Sequence, residues 1–407
     1  MKILLLTEQF PWPLTDGGNL RTWHIIQGLQ RQHEVTVLAH HWPPRAGKLD
    51  QSPCGISRPV LVPKLDVSRR LWHNIRHLGP SRWPLFLLKN FSPTLLGEAD
   101  RLLASESFDV IHFNHLDTAC FALTRDWPQP MVFDTHNCLT SLARQVAGAG
   151  ANPVRRWFFR REAALIEEAE RRITARMALN LVCSSADAGH FMGIQPQGLY
   201  EVVPNGVDRE HFQASAASPA DPATLVFTGA MSYYPNVQAA VFFQREILPF
   251  LKRSGRPLRT LFVGRDPAPQ VRRLHDGERV IVTGSVPDVR PYLEQAAVVI
   301  VPLLHGSGTR LKILEAFSMG KAVVSTRVGA EGLGVQNGKQ LLLADEPRAF
   351  ADCILRLLDD EGLRQRMGLA ARQLVEAEYA WPVVQDRLNR AYSQLCSTPA
   401  VETSAAI

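Results

Sequence analysis

The stretch HGSGTRLKILE at residues 305–315 brings together the residue types that bind a phosphate. An apolar run at 297–304 predicts a strand buried on both faces, and Val323–Val324 opens a second one. Between them, Gly306, Ser307 and Gly308 predict a tight turn. From Thr309 the apolar spacing becomes helical, through Leu311, Leu314 and Phe317. A turn that enters a helix in this way aims backbone N–H groups at whatever lies before the helix, a favourable place for an anion. Arg310 and Lys312 add positive charge, and Glu315, one helical turn beyond Leu311, faces the same side. The chemistry expected here is the binding of a phosphate or diphosphate.

Weaker candidates lie at the ends of other predicted strands. Asp16-Gly17-Gly18 joins the strand at 2–7 to a helix at 20–31 and resembles a phosphate loop, although a glycine pair serves equally well in a turn that needs positive φ. The strand at 109–114 ends in His112, Asn114, His115 and Asp117, and the next, at 130–134, in Asp134, His136 and Asn137. Ligands of open parallel sheets sit beyond the carboxyl ends of the strands, so these two clusters mark a site. Arg265, after the strand at 258–263, could reach an anion, and Val286 begins a Val-Pro-Asp turn on which a planar ring could rest. No helix-borne histidine pair or supporting cysteine favours a metal, and no metal ligand is assigned.

The 407 residues are too many for one core and divide naturally into two α/β domains. Strands and helices alternate, with strands also at 33–39, 180–184, 200–203, 225–228 and 280–283. Helices are predicted at 94–108, 117–126, 161–180, 236–250, 289–296, 348–359 and 363–377. Residues 43–60 read as a loop. The small, polar, proline-containing stretch 213–224 reads as a linker between an N-terminal domain, 1–212, and a C-terminal one, 225–377. Residues 378–396 form a last helix able to return to the first domain, and 397–407 a disordered tail.

A net charge of +6 with 45% apolar residues suits an anionic ligand or membrane surface. Nucleic acid is not expected, since zinc spacing, basic blocks and RNA-binding strand signatures are all missing. The six cysteines are dispersed without a C-x-x-C, as core thiols of a reducing compartment would be. Neither a signal peptide nor a membrane span is predicted, which points to the cytoplasm. Residues 69–90 and 155–161 interleave arginines with Trp and Phe, a pattern suited to peripheral contact with an anionic membrane on its inner face. Arginines over inward-packed aromatics would give the same pattern.

The sequence resembles the retaining GT-B glycosyltransferases of family four over nearly its whole length. The resemblance rests on GTRLKILEAFSMGKAVVSTRVGAEGL at 308–333, VPNGVD at 203–208, FTGAMSYYPNVQAA at 227–240, FDVIHFNHLD at 108–117 and VFDTHN at 132–137. It implies an α/β fold of two Rossmann-like domains facing across a cleft, the second holding a UDP-, GDP- or dTDP-sugar donor without a separate cofactor. The acceptor, a glycan or lipid-linked hydroxyl compound, would lie on the first.

Glu315 matches the family's second motif glutamate, expected on the donor ribose, whereas Ser307 stands where the first glutamate would be. The arginine and lysine expected after the first strand of the second domain are also missing from Gly229–Asn236. The resemblance therefore passes the diphosphate to Arg310 and Lys312, with Arg265 helping and the backbone at Gly306, Ser307, Gly308 and Thr309 in support. It puts Gly17 and Gly18 near the donor phosphates and His115 at the acceptor, with His112, Asn114, Asp134 and His136 as further candidates. A nucleotide-sugar epimerase, or an inactive glycan- or nucleotide-binding protein on the same fold, is the alternative. A dinucleotide oxidoreductase would need G-x-G-x-x-G after the first strand, which is missing.

Overall fold

The computed structural model describes residues 1–14, 16–41, 55–64, 71–72, 74–75, 83–148, 153–214, 221–306 and 309–397. The chain forms two compact units, Met1–Pro204 with Val384–Ile407, and Asn205–Val383.

The sheet of the first unit contains β1 (Lys2–Gln9), β2 (Glu34–His41), β3 (Arg58–Pro63), β4 (Val110–Asn114), β5 (Met131–Asp134), β6 (Leu179–Val182) and β7 (Tyr200–Val202). All neighbours pair in parallel, in the order β3-β2-β1-β4-β5-β6-β7. The second unit contains β8 (Asp221–Thr228), β9 (Arg259–Val263), β10 (Val280–Gly284), β11 (Ala296–Val301), β12 (Val323–Ser325) and β13 (Leu342–Leu343). Its sheet is likewise parallel, in the order β10-β9-β8-β11-β12-β13. Each sheet is flanked by helices, the doubly wound arrangement of a Rossmann-like domain. In both, the strand order reverses beside the first strand, at β1/β4 and at β8/β11, and such a reversal opens a crevice at the carboxyl ends.

Burial explains why these segments became strands. Ile3–Leu6 and all six residues of β11 are buried, as continuous apolar runs under helices on both faces should be. β11 stops at Val301, before Pro302, rather than running to 304. β3 corrects the loop expected over 43–60: it carries Pro59 and Pro63, which argue against a strand in sequence, yet it lies at a sheet edge where a missing N–H is tolerated. Residues 42–54 lie outside the described residues, as do 215–220 of the expected linker; Asp221–Thr224 already belong to β8.

The helix expected at 117–126 is a single turn, Leu116–Ala119, followed by a 3₁₀ turn, Cys120–Leu123. The one expected at 161–180 begins earlier, at Pro153, and ends at Thr174. The expected disordered tail falls almost wholly on 398–407, which lie outside the described residues.

From Val384 onward the C-terminal helix, Trp381–Ser397, belongs to the first unit. Gln385 Nε2 donates to the His24 carbonyl at 2.9 Å and Asn389 Nδ2 to that of Gly28 at 3.2 Å. Tyr392 lies against His112. In the second unit the backbones of the loops after β8 and β9 touch. A Cβ on Gly264, whose φ is +152°, would fall 1.8 Å from the Gly229 carbonyl oxygen. Gly264→Ala is therefore expected to destabilise the second unit by about 2 kcal/mol or more, read as a lower denaturant midpoint. An unchanged midpoint would show that the two loops can separate freely.

Candidate functional site

The second unit positions its candidate residues at the β8/β11 reversal. β8 delivers Gly229, and the following helix, Tyr234–Phe242, delivers Asn236. β11 leads through Gly306 to the helix Leu311–Ser318, with Arg310 at its N-cap. Ser307 and Gly308 lie outside the described residues.

Arg310 is 8% exposed. Its guanidinium folds over Gly306, where a Cβ would stand 2.8 Å from Nη2, and Nη2 donates to the Val328 carbonyl at 3.3 Å. Gly306 has φ +141°, so glycine answers both the backbone conformation and this close approach. Thr309 Oγ1 accepts a 3.5 Å hydrogen bond from the backbone N–H of Asn205.

Lys312 Nζ donates to Asn236 Oδ1 at 2.7 Å, lies 4.1 Å from the centroid of the Phe227 ring, and would stand 2.9 Å from a Cβ on Gly229. The glycine thus leaves the ammonium uncovered on one side while the asparagine and the ring hold it on the others. Burial and the neighbouring Arg310 charge lower the Lys312 pKa to about 7. Burial raises that of Glu315 to about 7 against the pull of Lys312. A buried arginine and a half-buried lysine next to glycines suit an anion, which would restore the full charge of the lysine. Val286 packs on the core of this unit, and Arg265 is exposed after β9, its carbonyl accepting from the Met231 N–H at 2.9 Å.

In the first unit, β4 and the first helix, Gly17–Gln30, carry the candidates at the β1/β4 reversal. Asp16 caps the helix by accepting from the Asn19 N–H at 2.9 Å. Asn114 is buried, and its amide N–H groups donate to Thr7 Oγ1 at 3.1 Å and Thr22 Oγ1 at 2.9 Å. Its Oδ1 therefore faces His136 Nε2 at 3.0 Å, which assigns the proton to Nε2 and leaves the lone pair on Nδ1. A Cβ on Gly18 would lie 3.6 Å from that Nδ1, so Gly18 and His136 share one side of the loop.

His115 has φ +74°, uncommon for a residue with a Cβ, and its N–H donates to the Asp134 carbonyl at 2.8 Å. Its ring centroid is 5.3 Å from that of His136, and its Nδ1 is 3.3 Å from Asp117 Oδ1. Burial works against a charged His115, but Asp117 outweighs it and raises the pKa. Burial and the His115 charge hold His136 down to about 3.

His112 and Asp134 have structural partners instead. Their positions put them on one sheet face with Asn114, and that face is covered. His112 Nδ1 is 2.5 Å from the Tyr392 hydroxyl, and burial lowers its pKa to about 4. Asp134, fully buried, accepts from Arg21 Nη2 at 2.5 Å and from Nε at 3.2 and 3.3 Å. Arg21 Nη1 also reaches the Val203 carbonyl at 2.9 Å.

Sequence reasoning missed Arg21, although its spacing with Ile25 and Leu29 places it on the buried stripe of its helix. It also missed Asn236, which no local pattern connects to a lysine 76 residues away.

Two parallel doubly wound units, each with its candidate residues at its own strand reversal, define the GT-B class of fold. A family model described as Glycosyltransferase Family 4 matches residues 15–211, and one described as Glycosyl transferases group 1 matches 222–360. The chain belongs to this family of glycosyltransferases.

A D-inositol 3-phosphate glycosyltransferase of Arthrobacter sp. (strain FB24) is 26% identical over 321 residues, 74% of either chain. A protein of the cps region of Klebsiella pneumoniae is 22% identical over 163 residues; the match spans 38% of this chain and only 42% of that protein. Among solved structures, sucrose-phosphate synthase of Thermosynechococcus elongatus aligns with TM-score 0.73 at 17% identity, covering 98% of this chain and 99% of the other. HepE of Anabaena, in complex with UDP-glucose, aligns with TM-score 0.63 at 16% identity, covering 97% and 100%.

Proposed function

We propose that the chain transfers a sugar from a nucleotide-diphosphate sugar to a hydroxyl of a lipid-linked or envelope glycan, with retention of anomeric configuration. Lys312 carries the reading: it is a half-buried amine held by Asn236 and Phe227, left uncovered by Gly229, at the strand reversal of the second unit. As the bond between the anomeric carbon and the diphosphate breaks, negative charge grows on the leaving oxygen. Lys312 and Arg310 then bind the transition state more tightly than the ground state, and no metal is required at the diphosphate. Glu315 takes the donor ribose. The acceptor oxygen attacks the anomeric carbon and gives up its proton to the solvent. No protein nucleophile is assigned. HepE, a relative in fold, is seen with UDP-glucose, which supports a donor of this class.

The donor is found by thermal shift against UDP-, GDP- and dTDP-sugars. A true donor at 100 times its Kd stabilises by about 2.7 kcal/mol, and a panel with no response would contradict the reading.

The acceptor's setting is read from the helix Pro153–Thr174. Val154 is 73% and Trp157 66% exposed beside Arg155, Arg156 and Arg160, and no acidic residue stands in its first turn. No described helix is long and apolar enough to cross a membrane, so the proposed contact is peripheral, at the inner face of the membrane. Much of the companion stretch 69–90 lies outside the described residues. Trp157→Ala is expected to lower partitioning onto vesicles containing anionic lipid about tenfold while leaving transfer to a soluble acceptor unchanged. Equal partitioning onto neutral and anionic vesicles would contradict it.

A further inference from the structure

Three side chains that transfer does not use converge beneath the His136 loop. Cys138 precedes the helix Leu139–Gly148, Glu170 projects from the helix Pro153–Thr174, and His190 from the helix Ser185–Ile194. Glu170 Oε2 is 3.9 Å from Cys138 Sγ and 3.9 Å from His190 Nε2, and one ligand atom from each residue lies within 4.8 Å of the other two. The Glu170 side chain is 2% exposed and that of His190 17%. Val182, Ala188, Phe191 and Tyr200 pack with Cys138 on its apolar side, and Arg144, Glu167 and Asp187 lie near His190. Among the described ion pairs no lysine or arginine meets Glu170, and His190 Nε2 is buried without a hydrogen bond.

We propose that Cys138, Glu170 and His190 form a zinc site. The donor set decides the metal. Thiolate and imidazole select a borderline-soft ion over magnesium or calcium, which prefer oxygen ligands. Zinc bonds of about 2.0–2.3 Å in tetrahedral geometry put ligand atoms roughly 3.3–3.8 Å apart, so the most separated pair needs to close by about 1–1.5 Å. One thiolate, one carboxylate and Zn²⁺ sum to zero charge, which suits a buried apolar setting better than a lone carboxylate does.

Outer hydrogen bonds already orient the ligands. Thr140 Oγ1 donates to Glu170 Oε2 at 2.6 Å, the Leu139 N–H to Oε1 at 3.0 Å, and the Ser141 N–H to Cys138 Sγ at 3.3 Å. The fourth position is left to water on the His190 side. Binding forms Zn–S, Zn–O and Zn–N bonds, releases the thiol proton, and releases the carboxyl proton wherever Glu170 is neutral. The ion would tie three helices together two residues from His136. Ligands from three separate elements leave no spacing to read, which is why the sequence pointed to no metal.

The test uses the full chain without a histidine tag, stripped with a chelator and titrated with Co²⁺. One equivalent is expected to produce a thiolate-to-cobalt charge-transfer band in the near ultraviolet, to be displaced by zinc, and to raise the melting temperature. Cys138→Ser removes the band, and His190→Ala weakens affinity at least tenfold while keeping it. If Cys138→Ser does not fold, the wild-type titration and His190→Ala still decide. No charge-transfer band in the wild type, a band that survives Cys138→Ser, or an unchanged affinity in His190→Ala would overturn the site.

Discussion

Lys312→Met is expected to lower kcat/KM for sugar transfer about 10²–10³-fold without unfolding the second unit, because one fixed donor to a developing oxyanion is worth about 3–4 kcal/mol. The methionine keeps the packing against Phe227 and removes the charge together with the hydrogen bond to Asn236, whose amide still donates to the Ala230 carbonyl, so circular dichroism and the denaturant midpoint should change little. The half-buried lysine also gives the reaction a pH signature. Its pKa is lowered to about 7, with Arg310 as the neighbouring cation and Glu315 as the neighbouring acid. A diphosphate beside it stabilises the ammonium and returns the pKa toward its usual value. Nucleotide binding at pH 7.5–8 is then accompanied by proton uptake, and affinity falls as pH rises above 7. Glu315, raised to about 7, adds to the uptake as the anion pushes it further up. Calorimetry in two buffers of different ionisation enthalpy measures the uptake, and Lys312→Met should remove the lysine's share. Equal heats in both buffers, or unimpaired turnover in the variant, would take Lys312 out of the donor site.

Asp134→Ala is expected to destabilise the first unit by about 3–5 kcal/mol, because it leaves the Arg21 guanidinium buried and uncompensated. Arg21 joins the first helix to Asp134 at the end of β5 and to the Val203 carbonyl just after β7, so the loss spreads across the sheet. Burial opposes ionisation of Asp134, but the Arg21 charge prevails and holds its pKa below the usual 3.8. The folded pKa is thus depressed, and the pair's stabilisation is fully present above 3.8 and lost as pH falls through the folded value. Arg21→Met with Asp134→Leu should recover most of the stability, since apolar replacement of both partners removes the desolvation penalty along with the attraction. Chemical denaturation of the two variants measures both effects. A single variant as stable as the wild type would mean that water reaches the guanidinium.

The alternation of strands and helices was legible because buried parallel strands are continuous apolar runs and the helices between them are not. β3 was hidden by Pro59 and Pro63, whose cost vanishes only at an edge, and sequence does not say which strand is at an edge. The helix start after Gly306, with Arg310 at its N-cap and Lys312 in its first turn, was legible because a glycine, cations and the change of apolar spacing are all local. Its partner Asn236 was not, since folding alone brings it to Lys312. The histidine and aspartate clusters after β4 and β5 were visible as clusters, but not which members pair inside the protein. Alternation puts His112 and Asn114 on one face. Only the return of the C-terminal helix, with Tyr392 on His112, shows that this face is covered. His115 stands apart through a positive φ, which residue type does not announce.

The most direct test of transfer incubates the full chain with its donor, with and without a hydroxyl acceptor, and follows nucleotide release together with the anomeric configuration of the product by NMR. The account predicts nucleoside diphosphate released only when acceptor is present, and a glycoside that keeps the donor's configuration. A new nucleotide sugar formed from donor alone would contradict it and point to epimerisation.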